Sequence, residues 1–131
     1  MIVMGLKVVQ VGGNESRDVT TNLSGVEDWR GKTNLRQWLS MIANCDGILS
    51  APSGIMHASS VWNKPMVIIC GAREIPEITA YPTAQYVVSD CENKGCEAAY
   101  SNQCIHFDKF CQCMNIASDV VIDALNKVRN K

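Results

Sequence analysis

The feature that most restricts the fold is an unbroken apolar run, "PMVIIC", from Pro65 to Cys70. A strand with one face in water alternates apolar and polar residues, whereas a run without polar residues predicts a strand covered on both faces. The preceding segment, residues 53–63, has apolar residues at helical spacing, with Ile55, Ala58 and Val61 on the predicted inner side. The sequence therefore predicts a helix that leads into a strand covered on both faces.

The same alternation of strand and helix continues along the chain. Helical patterns cover residues 33–45, for which Thr33 is the predicted N-cap, and residues 115–131. In the second of these, Ile122 lies off an apolar stripe made of Ile116, Val120, Val121, Ala124, Leu125 and Val128. Further strands are predicted for "LKVVQVGG", "DGILSA" and "AQYVVS". We therefore expect residues 1–131 to form a single α/β, Rossmann-like domain, a parallel sheet with helices on both faces.

The composition is that of an ordinary globular domain and excludes several classes of function. The chain has 131 residues, of which 47% are hydrophobic and 19% are charged, with a formal net charge of -1. This balance gives no basic surface for nucleic acid or for an anionic membrane. No apolar run approaches the ~20 residues of a membrane-spanning helix, and the first residues lack a signal-peptide pattern. We expect a cytoplasmic location without a membrane span.

The turn between the strand "DGILSA" and the following helix has the residues of an anion site. Ser53 is the predicted N-cap, and Gly54 has no Cβ that would block the approach of a ligand. The backbone N–H groups of Gly54, Ile55 and Met56 would then be unpaired and face whatever lies above the strand. His57, in the first turn, can donate to a phosphate oxygen. The alternative is a plain capped turn, in which His57 bonds to backbone.

Two more strand ends point to the same edge of the sheet. Gly71 follows the central strand, and Glu15 follows the first strand. Because ligands of open parallel sheets collect at the carboxyl ends of the strands, Gly71 would line the same site. A carboxylate such as Glu15 can accept both hydroxyls of a ribose, although it can equally lie in a solvated loop. Glycine, hydroxyl, imidazole and carboxylate together favour a nucleotide-like ligand.

The motifs at these positions resemble those of glycosyltransferase family 9, the ADP-heptose:lipopolysaccharide heptosyltransferases. The similar segments, in order, are "VVQVGGNESR", "GKTNLRQWLSMIANCDGILSAPSGIMHAS", "NKPMVIICGAREIPEITAYP" and the cysteine-bearing "GCEAAYSNQCIHFDKFCQCMNI". The resemblance implies the C-terminal half of a two-domain GT-B enzyme, the half that binds the nucleotide sugar. It also implies an ADP-sugar ligand and no metal or other cofactor.

The resemblance further implies roles for individual residues. Ser53, Gly54 and His57 would hold the diphosphate, Glu15 would contact the ribose, and Gly71 would form part of the pocket wall. Pro52 stands where the family usually has an aspartate, and therefore removes a carboxylate and one backbone N–H.

Against the family pattern, the first strand and helix of this domain and the whole acceptor domain would lie upstream of Met1. The chain alone is therefore expected not to transfer sugar, because transfer needs both substrates to be aligned. The acceptor domain would then be carried by a partner chain or by a missing part of the same gene product, and a homo-oligomer is a further expectation. The alternative is a non-catalytic binding or self-association module derived from this fold.

Seven cysteines are many for a chain of this length. Cys45 and Cys70 lie in apolar contexts that predict burial. The others crowd the last third of the chain: Cys91, Cys96, Cys104, Cys111 and Cys113. The spacing of Cys96, Cys104, Cys111 and Cys113 is poor for structural zinc, although His106 could replace one ligand, so reduced or partly buried thiols are favoured over a metal or redox role. No metal site is therefore predicted.

Overall fold

The computed structural model describes residues 5–13, 23–71, 76–91, 113 and 115–129. Its elements are β1 (Val9–Gln10), β2 (Glu27–Asp28), α1 (Leu35–Asn44), β3 (Ile48–Ser50), α2 (Gly54–Val61), β4 (Met66–Cys70), β5 (Ala84–Val88) and α3 (Ser118–Arg129). A short 3₁₀ helix, Pro76–Thr79, lies between β4 and β5. The chain divides into two compact units, Met1–Asn44 and Cys45–Lys131.

In the first unit, β1 pairs with β2 in parallel, with Val9 opposite Glu27. An ion pair of 3.1 Å joins Lys7 to Glu27, and the Glu27 carboxylate also accepts from the Trp29 indole. These two contacts, the Trp29 hydrogen bond first, lower the pKa of Glu27. Both strands are only two residues long, so side-chain contacts support a ladder that has few backbone hydrogen bonds.

Helix α1 begins one residue later than the sequence predicts. Asn34 is its N-cap: the Asn34 side chain accepts from the Gln37 amide over 3.0 Å, and the Gln37 side chain accepts from the Asn34 amide over 2.9 Å. This reciprocal pair is a capping box, which satisfies two backbone donors at the helix start. The prediction of Thr33 as N-cap was wrong because Gln37 stands at the right distance to complete the box from Asn34.

In the second unit, the strand order is β3-β4-β5 and both pairings are parallel. The register places Ile48 opposite Met66, and Met66 opposite Ala84. The central strand β4 is almost completely buried, as its unbroken apolar sequence predicts. Three parallel strands therefore end together at one edge of this sheet.

Alternate residues of β4 belong to two different cores. On one face, Met66, Ile68 and Cys70 pack with Met56 of α2. On the other face, Val67 packs with Val87 of β5 and with two residues of α3, Ala124 and Val128. Helices therefore cover both faces of the parallel sheet, and the predicted α/β class is confirmed.

The rotation of α2 differs from the prediction. Met56 and Ser59 are its buried residues, while Val61, predicted on the inner side, is 72% exposed. The segment is apolar at most positions, so hydrophobic spacing alone does not determine which side of such a short helix faces the sheet.

Helix α3 largely follows its predicted stripe. Val121 and Leu125 pack against the core, and Ile122 lies outside it, as expected. Val120, which was placed on the stripe, is 49% exposed. Across the helices that the structure describes, none combines the length and the hydropathy that crossing a bilayer requires.

Candidate functional site

The candidate site lies at the carboxyl edge of the β3-β4-β5 sheet. β3 ends at Ser50 and runs through Ala51–Ser53 into α2, and Gly71 directly follows β4. Because β3 and β4 are parallel neighbours in register, both connections emerge at the same edge. Gly71 is half-buried there, whereas Ser53 and Gly54 are exposed.

Ser53 occupies the N-cap position of α2, as predicted. Its backbone is extended, with φ -166° and ψ 178°. Its side chain makes no capping bond, and its hydroxyl donates to the carbonyl of Ala51 over 3.2 Å. The first backbone N–H groups of α2 therefore lack the hydrogen bond that an N-cap side chain usually accepts from them.

Two of the three predicted amides at the start of α2 are uncommitted. The N–H groups of Gly54 and Ile55 have no acceptor among the described residues. The Met56 N–H, in contrast, donates to the Ser53 carbonyl over 3.0 Å, so this part of the prediction was wrong. A Cβ built at Gly54 would meet nothing within 4 Å. The backbone here is open to an approaching group, and the N-terminal end of the helix dipole favours an anion.

His57 is exposed and is bound to a residue that the sequence did not single out. The His57 Nδ1 atom lies 2.7 Å from the Tyr81 hydroxyl oxygen. The two rings meet edge to face, with centroids 5.8 Å apart and planes at 80°. No local pattern could have predicted this pair, since 24 residues separate its members. The alternative prediction, in which the His57 side chain bonds to backbone, is therefore wrong for Nδ1, which bonds to a side chain.

Tyr81 is held in place by the connection between β4 and β5. Its side chain packs against the core that contains Met56. Its backbone N–H donates to the Tyr86 hydroxyl over 3.3 Å, and that hydroxyl donates to the carbonyl of Thr79. Tyr81 is therefore a fixed partner for the more exposed imidazole.

Ser50, the last residue of β3, also went unnoticed in the sequence. Its hydroxyl oxygen is buried and has no hydrogen-bond partner in the described part of the chain. Such a group is rare in a folded protein, because its desolvation is not compensated. The strand pattern gave no sign of it, since a serine at a strand end normally reaches water or backbone.

Some of the remaining candidate residues lie outside the described part of the chain, and the others are cysteines within it. Glu15 lies outside them, and so do four members of the cysteine-rich stretch: Cys96, Cys104, His106 and Cys111. Cys91 and Cys113 are half-buried free thiols. Cys70 is buried as predicted, whereas Cys45 is only half-buried. Within the described part of the chain, no three His, Cys, Asp or Glu residues are grouped as a metal site would need.

A parallel sheet with helices on both faces and a turn-to-helix site at its carboxyl edge defines a Rossmann-like α/β domain. The sequence profile of glycosyltransferase family 9 (heptosyltransferase) matches residues 3–108. The chain belongs to glycosyltransferase family 9.

The chain is also similar to one curated protein and to one solved structure. It is 32% identical over 68 residues to lipooligosaccharide heptosyltransferase 2 of Haemophilus influenzae, a match that covers 52% of this chain and 18% of that protein. The solved structure of the E. coli ADP-heptose LPS heptosyltransferase II has the same fold, with a TM-score of 0.70 at 21% identity. That match covers 98% of this chain and 38% of the E. coli chain. The chain thus spans well under half the length of either relative.

Proposed function

We propose that this chain is the nucleotide-sugar-binding part of a heptosyltransferase that acts in the synthesis of lipopolysaccharide or a related glycan. The ligand would be ADP-heptose or another nucleotide-diphosphate sugar. The observation that carries the proposal is the pair of uncommitted amides, those of Gly54 and Ile55, at the exposed start of α2. Family membership supports the class of reaction, and the names of both relatives include heptosyltransferase.

A diphosphate matches the chemistry of this helix start. The two N–H groups can donate to one phosphate group, and the helix dipole adds a partial positive charge. The Nε2 atom of His57 has no partner among the described residues and supplies a third donor nearby. The formal net charge of the chain is -1, so attraction for an anion has to come from such local groups.

The rest of the nucleotide sugar would extend along the carboxyl edge of the sheet. Gly71 follows β4 at this edge and would line the pocket without a side chain in the way. Glu15 is the proposed ribose contact, on the basis of the family motif alone. In sugar transfer, negative charge develops on the leaving diphosphate, and donors fixed at a helix start stabilise it without a metal ion.

Residues 1–131 are expected to bind the nucleotide sugar but not to transfer the sugar when tested alone. Transfer requires an acceptor aligned with the sugar carbon, and this alignment is a large part of the rate advantage of such enzymes. The chain spans 38% of the E. coli heptosyltransferase II chain. We therefore expect the acceptor site to lie in the part of such an enzyme that this chain does not match.

Calorimetry with ADP, AMP and adenosine tests the proposal directly. We expect ADP to bind at least about tenfold more tightly than adenosine, because charge-assisted hydrogen bonds to phosphate oxygens are the strong ones. The variant His57→Gln should lower the affinity for ADP but leave the affinity for adenosine unchanged. Equal affinity for ADP and adenosine, or no binding at millimolar ADP, would contradict the proposal and favour a non-catalytic module.

A further inference from the structure

The contact between His57 and Tyr81 restricts where the imidazole protons lie. The Tyr81 hydroxyl has one hydrogen-bond partner among the described residues, the Nδ1 atom of His57 at 2.7 Å. A phenol O–H is a good donor, and the unprotonated nitrogen of a neutral imidazole is a good acceptor. The arrangement that gives the phenol proton an acceptor therefore has Tyr81 donating to Nδ1.

This direction of donation determines the state of the other ring nitrogen. When Nδ1 accepts, the neutral imidazole carries its proton on Nε2. When His57 is protonated, both ring nitrogens carry protons, and Tyr81 can accept from Nδ1 without moving. Nε2 is therefore an N–H donor in both protonation states, and it has no acceptor among the described residues.

We propose that Tyr81 is a positioning residue, which holds the His57 ring in the orientation and tautomer that present the Nε2 N–H to an anionic oxygen of a bound ligand. That this oxygen belongs to the diphosphate of a nucleotide sugar rests on the proposed function. The orientation and the tautomer can be tested apart from it, because the contact between the two side chains is present without a ligand.

The surroundings of Tyr81 suit this role. The ring packs on the core that contains Met56, a residue one position before His57 on α2. The backbone N–H of Tyr81 is tied to Tyr86, which in turn bonds to Thr79. The core and the backbone of Tyr81 thus fix its side chain before any ligand binds. Because the imidazole is already oriented, little side-chain entropy would be lost when a ligand binds.

Long-range 1H–15N correlation NMR of the ligand-free chain tests the tautomer. The chain has two histidines, so spectra of the variant His106→Gln assign the His57 signals. In the unsubstituted chain we expect a single neutral tautomer, protonated at Nε2, with an Nδ1 shift typical of a hydrogen-bond acceptor. In Tyr81→Phe, which keeps the ring and its packing, the Nδ1 signal should move towards that of a free imidazole with mixed tautomers.

The variant Ser89→Ala is the control for a general loss of stability. It removes a hydroxyl that accepts from the Cys91 amide and leaves the contacts of Tyr81 and His57 intact, so it should lower stability while the His57 nitrogen shifts stay in place. A merely structural role of Tyr81 would make the two variants behave alike. Protonation of neutral His57 at Nδ1, or nitrogen shifts that do not change in Tyr81→Phe, would overturn the proposal.

A double-mutant cycle with ADP then measures the consequence for binding. Tyr81→Phe should lower the affinity for ADP about three- to tenfold when His57 is present, in line with the loss of one oriented hydrogen bond. In the His57→Gln background the same change should alter affinity by less than about twofold. Equal losses in both backgrounds would overturn the role in binding. If ADP fails to bind at all while the NMR result holds, the proposed function falls and the positioning of His57 stands.

Discussion

The guanidinium of Arg30 forms a two-pronged contact with the carboxylate of Asp28: Nε donates to Oδ1 over 2.9 Å and Nη2 donates to Oδ2 over 2.8 Å. The Arg30 backbone N–H donates to the same Oδ1 over 3.0 Å. The backbone N–H of the next residue, Gly31, donates to the Gly12 carbonyl over 2.8 Å, which ties this segment to the one after β1. The hydrogen bonds from Arg30, that from its side chain first, hold the pKa of Asp28 well below its ordinary value of 3.8.

The first prediction concerns acid stability. Because the pKa of Asp28 is lower in the folded than in the unfolded chain, its stabilising effect is complete above the ordinary value of 3.8 and is lost as pH falls towards the folded value. Urea unfolding at pH 7 and in the acid range should therefore show a smaller loss of stability for Asp28→Asn than for the unsubstituted chain. Asp46→Asn, an exposed residue without an ion pair among the described residues, is the control. Identical pH dependence of all three chains would contradict the prediction.

The second prediction concerns the start of α1. Asn34→Ala removes the capping box with Gln37 and should lower the free energy of unfolding by about 0.5–2 kcal/mol. Thr33→Ala, at the neighbouring position, should change it by less than about 0.5 kcal/mol. Urea titrations followed by circular dichroism compare the two variants. A larger effect at Thr33 would place the N-cap there instead.

The third prediction concerns the rotation of α2. Met56 is 2% exposed and Val61 is 72% exposed. Met56→Ala should therefore lower the free energy of unfolding by about 2–5 kcal/mol, through lost burial and the cavity left behind. Val61→Ala should cost less than about 0.5 kcal/mol. The opposite order would mean that the helix faces the sheet with the side that hydrophobic spacing suggested.

The fourth prediction separates the amide of Gly54 from its open space. Gly54→Pro removes the N–H but suits the first position of a helix, and the extended backbone of Ser53 suits the residue before a proline. Gly54→Ala keeps the N–H and adds a Cβ that meets nothing within 4 Å. If ADP binds through this amide, the proline variant should have about tenfold lower affinity for ADP, because one hydrogen bond to a charged group is lost.

Calorimetry on both Gly54 variants gives the comparison, and circular dichroism confirms that α2 remains helical. The alanine variant should retain most of the affinity for ADP. Equal affinity in the two variants would show that the amide takes no part in binding.

The fifth prediction contrasts two serines of the second unit. Ser50→Ala deletes a buried hydroxyl that has no partner among the residues the structure describes, and it should raise the free energy of unfolding by up to about 1 kcal/mol. Ser89 is 6% exposed, and its hydroxyl accepts from the Cys91 amide over 3.1 Å. Ser89→Ala should therefore lower the free energy of unfolding by about 1 kcal/mol. Thermal unfolding of the two variants should shift in opposite directions, and shifts of the same sign would contradict the contrast.

The sequence predicted the elements whose burial leaves a clear pattern. β4 could be found because both of its faces are covered, which leaves no polar residue in the strand. α3 could be found because only one of its faces is covered, which leaves a periodic stripe. The turn at Ser53 and Gly54 could be placed because it lies between two other predicted elements, β3 and α2, and a strand and a helix in succession need a connection between them.

What the sequence could not give depends on contacts between distant residues or on hydrogen-bond geometry. Asn34 and Thr33 both have side chains that cap helices, and only the reach of Gln37 decides between them. The commitment of the Met56 amide to the Ser53 carbonyl is a detail of backbone angles. The partner of His57 comes from beyond the next strand, so no local pattern connects it to Tyr81.

The division of β4 between two cores has a consequence for how this fold can vary. Met66 and Ile68 contact the helix whose start forms the candidate site, while Val67 contacts the helix on the far side. Substitutions at odd and even positions of one strand therefore act on different layers. Substitutions can therefore change the layer beneath the candidate site one side chain at a time, while the opposite layer continues to anchor the sheet.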